Sequence, residues 1–171
     1  SERQSNVIPQ AVIEKLSARR FYDKEYLPVI ELVAGKLIDS LGPITFINVS
    51  TKIARLHSFQ RTGAQIKKQV WAAISKKRRH SKSPNKEVVL WPEGSEPSEF
   101  VQFRGMEIKG EVRAWKDVPY PEKLGLAQTV LKSGTSDPVN SMAIMIGLGR
   151  LKQATKEELQ QLLDVCTHIK T

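Results

Sequence analysis

The chain has a single cysteine, Cys166. No internal disulfide and no thiolate cluster can form, which fits a reducing, cytoplasmic setting. Its three histidines, His57, His80 and His168, are isolated, and none has a second His or Cys at zinc spacing, so no metal site is expected. Aromatic residues make up only 6% of the chain, and the core must rest on Leu, Ile, Val and Ala. No apolar run approaches the roughly 18 residues that a membrane helix needs, so no membrane partner is expected. There is no Gly-x-x-x-x-Gly-Lys loop, which excludes the usual phosphate cradle for ATP. Glu157 and Glu158 are sequence neighbours that face different sides of a helix and cannot flank one bond. Cys166 falls on the apolar side of the last helix near Leu162 and Leu163, as a small core residue does. This piece is expected to carry no catalytic residue and no cofactor. It opens on Ser1-Glu2-Arg3-Gln4, without Met or an apolar leader, and reads as part of a longer or processed protein.

What is present is charge, unevenly placed. The net charge is +9 over 171 residues. The stretch 51–86 holds 11 Lys or Arg and no Asp or Glu, while the remainder has 16 basic and 18 acidic residues. One block therefore carries the whole excess, as a polyanion-binding surface would.

Periodicity orders the elements. A short helix is expected within 10–20. Tyr26, Ile30, Val33, Ala34, Leu37, Ile38 and Leu41 then mark one helix face. Gly42-Pro43 stops it, and Ile44 and Phe46 alternate as a short strand. Asn48 to Ser50 offers caps for a second helix with Val49, Ile53, Ala54 and Leu56 inward. After a tight connection at 57–60, a third helix runs from 61 or 62 to 77, with Ile66, Val70, Ala73 and Ile74 inward. Residues 78–86 read as a basic loop, and 88–91 as a strand stopped by Pro92. Helix, strand, helix, helix, basic loop, strand is the order of a winged helix, whose third helix enters a groove. With Gln65 at zero and about 100° per residue, Arg61, Lys68, Gln69, Ala72 and Lys76 share the outward stripe. Cations for phosphates and amides for base edges lie side by side there. Trp71 and Trp91 are read as packing residues in preference to base platforms.

Residues 99–115 alternate in short stretches broken at Gly105 and Gly110, as two or three short strands. Beyond Pro119 and Pro121 another helix contains Leu124, Leu126, Ala127, Val130 and Leu131. A shift of 89 positions superposes the two ends of the chain. Leu37, Ile38 and Leu41 meet Leu126, Ala127 and Val130; Arg61 meets Arg150; Val70, Ala73 and Ile74 meet Leu159, Leu162 and Leu163. The second copy, with 6 basic and 5 acidic residues from position 121 onward, lacks the cationic excess. Gly147-Leu148-Gly149 reads as its turn between helices.

The run Leu56-His57-Ser58-Phe59-Gln60-Arg61-Thr62-Gly63-Ala64-Gln65-Ile66-Lys67 resembles a family pattern of Leu-Gly-Phe-x-Arg-Thr-Gly-x-x-Ile-Arg. Gly42-Pro43-Ile44 and Leu90-Trp91-Pro92 also sit where that family has them. It is an uncharacterised C-terminal domain family of large bacterial superfamily-1 helicase proteins, often beside a Vsr-like endonuclease domain. The resemblance implies a helicase-associated domain, with the upstream helicase and nuclease domains of a parent chain as partners. His57-Ser58 replaces the usual turn, and the second copy lacks Thr-Gly after Arg150.

The expected fold is mainly α with small β-hairpins, an α+β chain of tandem winged-helix-like units joined by a short β-rich connector. Its parts are a linker or brace (1–23), a winged-helix unit (24–95), the connector (96–119) and a second helical unit (120–171). The expected function is nucleic-acid binding, to DNA in preference to RNA, with a protein-interaction or regulatory module as the alternative. The expected contacts are Arg61, Gln65, Lys68, Gln69, Lys76, Lys77, Arg78, Arg79, Lys82 and Lys86. Gly63 is expected to serve close packing of the third helix.

Overall fold

The computed structural model describes residues 7–169, which fall into two units, Ser1–Pro97 and Ser98–Thr171. The chain is mainly α with two small antiparallel sheets. The opening Ser1-Glu2-Arg3-Gln4 lies outside the described residues.

In the first unit a short helix α1, Gln10–Ile13, precedes a 3-10 turn at Lys24–Tyr26 and the long helix α2, Leu27–Leu41. Pro28 in the first turn of α2 costs no hydrogen bond, because first-turn N–H groups have no helical acceptor. All seven apolar positions of the predicted face, Tyr26 through Leu41, are buried. Strand β1, Ile44–Thr45, passes directly into α3, Phe46–Leu56. Thr45 is the cap: its Oγ1 accepts the Asn48 N–H at 3.1 Å. The predicted caps at 48–50 are therefore already inside the helix, and Phe46 is helical, not a strand residue. Helix α4, Ala64–Ile74, is shorter at both ends than its apolar pattern predicts. Gly63 is extended before it, and Lys77 and Arg78 close on the Ile74 carbonyl after it, which bends the chain toward the next strand.

The predicted basic loop contains a strand. Strands β2, His80–Lys82, and β3, Val88–Leu90, pair antiparallel, with β1 on the other side of β3. The Lys86 N–H bonds the Ser83 carbonyl at 2.8 Å, with Pro84 second in the turn, where its fixed φ is favourable. The Asn85 side chain pins the tip by accepting the Glu87 N–H at 3.1 Å and donating to the Glu87 carboxylate at 2.7 Å. Trp91 is buried and its Nε1 donates to Ser81 Oγ at 2.8 Å. Gly42 closes against Pro92: a Cβ there would lie 2.9 Å from two ring carbons. The Gly-Pro and Trp-Pro segments singled out in the sequence thus meet.

The segment ahead of α2 braces this unit. Ile8, Val12 and Phe21 are buried. Tyr26 and His57 form a buried hydrogen bond between Oη and Nε2, while the Ser17 N–H donates to the same Oη at 2.9 Å. His57 Nδ1 lies 2.7 Å from the Ile53 carbonyl. A carbonyl only accepts, so Nδ1 carries the proton and Nε2 accepts from Tyr26 in the neutral ring. Phe21 packs edge-on to both His57 and Phe59.

The second unit begins earlier than its helices. Strands β4, Glu107–Ile108, and β5, Glu111–Val112, form a two-stranded hairpin turned at Lys109-Gly110, both with positive φ. Helices α5, Tyr120–Lys132, α6, Pro138–Met145, and α7, Gln153–Ile169, follow. The stretch 96–119, predicted as a connector, is mostly part of this unit. Phe100, Phe103, Met106 and Trp115 pack on the helical core, and the Val101 N–H bonds the Pro121 carbonyl at 3.1 Å. Arg104 and Arg113 both reach the fully buried Glu122, with Arg104 Nη2 at 2.8 Å from Oε1. Burial opposes a charge there. The two guanidiniums outweigh it and hold the Glu122 carboxyl below the usual range. Cys166 is buried, its thiol 3.4 Å from the Leu124 carbonyl, as a core residue.

The repeat at 89 positions has a backbone counterpart. Helices α3 and α6 end at Leu56 and Met145, and α4 and α7 start at Ala64 and Gln153. In each, a positive-φ residue follows, Ser58 at 65° and Gly147 at 75°. Phe59 N–H bonds Ala54 O at 2.9 Å, and Leu148 N–H bonds Ala143 O at 2.9 Å. Lys67 N–H to Gly63 O at 3.2 Å is matched by Lys156 N–H to Lys152 O at 3.0 Å. The shift that aligns apolar residues aligns the turns as well.

Burial holds the His57 imidazole below its ordinary range, against the opposing pull of the Ile53 hydrogen bond. A depressed folded pKa means that the unfolded chain binds the extra proton first. The stability that neutral His57 contributes is therefore fully present above about pH 6.5 and is lost as pH falls toward the lower folded value. Denaturant midpoints measured from about pH 8 to about pH 5 are expected to fall in that window, and His57→Gln to flatten the fall.

Candidate nucleic-acid interface

The sequence places ten side chains on one surface, and the structure sorts them. Gln65 and Lys68 are exposed on α4. Arg61 is exposed in the extended segment before α4, and Lys76 is exposed in the turn after it. Neither belongs to the helix, so the helical-wheel placement does not apply to them. Lys82 is exposed at the end of β2, and Lys86 at the hairpin tip with φ 69°. The side chains of these six cations and amides have no hydrogen bond or ion pair among the described residues.

The other four are engaged within their own unit. The Gln69 amide donates to the Phe21 carbonyl at 3.2 Å, tying α4 to the N-terminal brace. Lys77 Nζ lies 3.1 Å from a Glu31 carboxylate oxygen on α2. Arg79 pairs with Glu96. Arg78 is the most constrained, its side chain 18% exposed and Nη1 2.8 Å from Asp39 Oδ1. Its guanidinium lies across Gly35 of α2, where a Cβ would come within 2.4 Å of Nη2. Burial alone would raise the Asp39 carboxyl, but the Glu93 N–H and the Arg78 guanidinium outweigh it and hold it low. Acids that the sequence places outside the basic block thus fold back onto its C-terminal end.

The motif Arg61-Thr62-Gly63 also divides. Gly63 is exposed, and a Cβ there would meet nothing within 4 Å. The close packing expected of it is absent. Gly63 caps α4 in an extended conformation and provides no side-chain acceptor for the first-turn N–H groups. Trp71 contacts Phe46 and His80 edge-on, at ring separations of 5.3 and 4.8 Å, a packing role as expected.

Two aromatics of the predicted linker take places that the sequence does not show. The buried Phe21 ties the brace to α4 through its carbonyl and Gln69, and the exposed Tyr22 packs on Phe59 with ring centroids 6.4 Å apart. An aromatic beside Arg19 and Arg20 is the available signal. In the second unit the matching surface differs in charge. Position for position, Lys68 becomes Glu157 and Gln69 becomes Glu158. Glu158 is occupied, accepting from Trp115 Nε1 at 2.7 Å and Lys123 Nζ at 3.0 Å.

The fold is thus an α+β pair of helical units that share a turn geometry. Residues 19–68 match a family described as "Protein of unknown function (DUF3320)". That match runs from Arg19 through α2 and α3 into the first turns of α4. No curated protein and no solved structure matches the chain. Among the described residues no cluster of His, Cys, Asp or Glu could hold a metal ion, and no helix is long and apolar enough to cross a membrane.

Arg78 and Lys76 separate structural from surface cations. Arg78→Ala leaves Asp39 with the Glu93 N–H alone and uncovers Gly35, and is expected to cost about 1–2 kcal/mol after allowance for partial exposure. Lys76→Ala is expected to stay within about 0.5 kcal/mol. Urea unfolding of both variants checks the difference.

Proposed function

We propose that the first unit is a winged-helix module that binds nucleic acid, DNA in preference to RNA, and that it serves as an accessory to a larger helicase or nuclease chain. The observation that carries this reading is the set of cations on α4, on its two flanks and on the β2–β3 hairpin that have no side-chain partner among the described residues. Lys68, Lys76, Lys82 and Lys86, with Arg61, remain open to solvent while neighbouring cations are neutralised by Glu31, Asp39 and Glu96. Unpaired exposed cations gain by releasing the counterions of a polyanion. The element order and the β1-β3-β2 sheet support the winged-helix reading, in which α4 would lie in a groove and the hairpin would act as the wing. Lys86 sits at a hairpin tip pinned by Asn85, so its charge is presented with little loss of chain freedom. The helicase association rests on the sequence resemblance, and its partners would be the upstream domains of such a chain. The second unit has the same helical turn but sets Glu157 and Glu158 where Lys68 and Gln69 stand, and fits a packing or partner-binding copy.

Replacing Lys68, Lys76, Lys82 and Lys86 together by Ala is expected to weaken duplex binding at least about tenfold at moderate salt. The salt slope should fall by about 0.9 for each phosphate that is no longer neutralised. Circular dichroism should show the fold intact, because none of the four is buried. Unchanged affinity and slope would sink the reading in favour of a protein-interaction module.

Arg61→Ala is expected to leave the melting temperature nearly unchanged and to cost about 1–3 kcal/mol of binding if the side chain reads a base, less if it touches a phosphate. Arg150→Ala, at the matching position of the second unit, is expected to change binding much less. Titration of both variants against one duplex makes the comparison. Equal losses for the two would contradict the assignment of the interface to the first unit.

A further inference from the structure

We propose that Tyr22 is a stacking platform for an unpaired nucleobase beside α4, so that the ligand is a duplex adjoining a single strand. This rests on the nucleic-acid reading of the first unit and deepens it by naming the substrate class.

Tyr22 is 54% exposed, one of only two large apolar side chains left open among the described residues of the first unit. It is nevertheless held. Its ring packs edge-on to Phe21 at 5.2 Å and tilted against Phe59 at 6.4 Å, and Phe21 itself is fully buried. A ring anchored on two others and still more than half exposed loses little motion when a base is laid on it.

Its location follows from two ties. The Phe21 carbonyl accepts from Gln69, one turn along α4 from the exposed Gln65. Phe59 stands two residues before Arg61. Tyr22 is therefore attached to the proposed interface both along the helix and ahead of it. Arg19 and Arg20, shortly before it in the chain, are exposed, and Arg20 pairs with Asp23 at 3.7 Å across solvent-exposed side chains. An exposed cation near an exposed aromatic can hold a strand by its phosphates while a base stacks. The β2–β3 hairpin, by contrast, turns through Ser83, Pro84, Asn85 and Lys86. Its tip offers charge to a backbone and no ring to a base. The aromatic and the cationic hairpin thus divide the work, with the paired region held by α4 and the hairpin and the first unpaired base held by Tyr22.

The test compares a blunt DNA duplex with the same duplex carrying a short single-stranded DNA or RNA tail, using the whole chain. 2-Aminopurine at the first unpaired position reports stacking directly. The tailed duplex is expected to bind about 5- to 150-fold more tightly than the blunt one, with the probe's fluorescence quenched on binding. Tyr22→Ala should abolish both the preference and the quenching while blunt-duplex affinity stays as it was. Tyr22→Trp should retain them. The DNA and RNA arms show which strand supplies the base. Equal affinity for blunt and tailed duplexes in the unaltered protein, or a preference that survives Tyr22→Ala, overturns the inference and leaves duplex binding standing. Binding to neither duplex overturns the nucleic-acid reading itself. Should Tyr22→Ala not fold, the blunt-versus-tailed ratio and the 2-aminopurine signal of the unaltered protein decide alone.

Discussion

The helix that carries the exposed cations is aimed by a buried chain of hydrogen bonds through the turn before it. The Ser17 N–H, the Tyr26 hydroxyl, the His57 ring and the Ile53 carbonyl are joined in sequence, with Phe21 packed across them. Each donor in that chain would be costly to leave unmade in an apolar setting. The chain links the N-terminal brace, the start of α2 and the end of α3, and it fixes where Phe59 and Arg61 leave the core. The second unit keeps the same turn geometry with Ile146 in place of His57 and Gly147 in place of Ser58. Backbone bonds alone therefore make the turn. The buried histidine adds the connection to the brace, and through Phe21 and Gln69 that brace reaches the exposed face of α4.

Charge in the sequence and charge in space differ for a simple reason. An ion pair is indifferent to sequence distance, so Glu31, Asp39 and Glu96 reach cations that stand far from any acid along the chain. Lys77, Arg78 and Arg79 are drawn into the frame of the first unit by these contacts. What remains open is a smaller set spread over α4, its flanks and the hairpin. Arg78 shows the difference most clearly, since α2 needs the small Gly35 to let its guanidinium lie flat.

Much of this is legible in the sequence because helical periodicity is a local property. The face of α2 from Tyr26 to Leu41 reads directly off the residues, and so do the inward positions of α4 and those of α3 apart from Leu56, which is half-buried. The limits of α4 do not, because Lys76 and Arg61 continue a pattern that the backbone has already left. Strand β2 is hidden for a different reason. His80-Ser81-Lys82 has no apolar alternation, and it becomes a strand only by pairing with Val88 to Leu90. The stretch ahead of α5 reads as a connector because its anchor is a buried ion cluster. Nothing in the sequence says that Glu122 will lie inside with Arg104 and Arg113 around it. Gly63 reads as a packing glycine, since an open and a crowded glycine look alike in sequence.

The open cations of the first unit stand in a stretch without acids, whereas the exposed Arg150, Lys152 and Lys156 of the second unit are followed by Glu157 and Glu158. Backbone amide shifts of the whole chain, followed by NMR during titration with a short tailed DNA duplex, test this most directly. The predicted result is a set of shifts concentrated at Tyr22, Arg61, Gln65, Lys68, Lys82 and Lys86, fading together as salt is raised. Shifts concentrated instead at Arg150 and along α7, or shifts indifferent to salt, would contradict it.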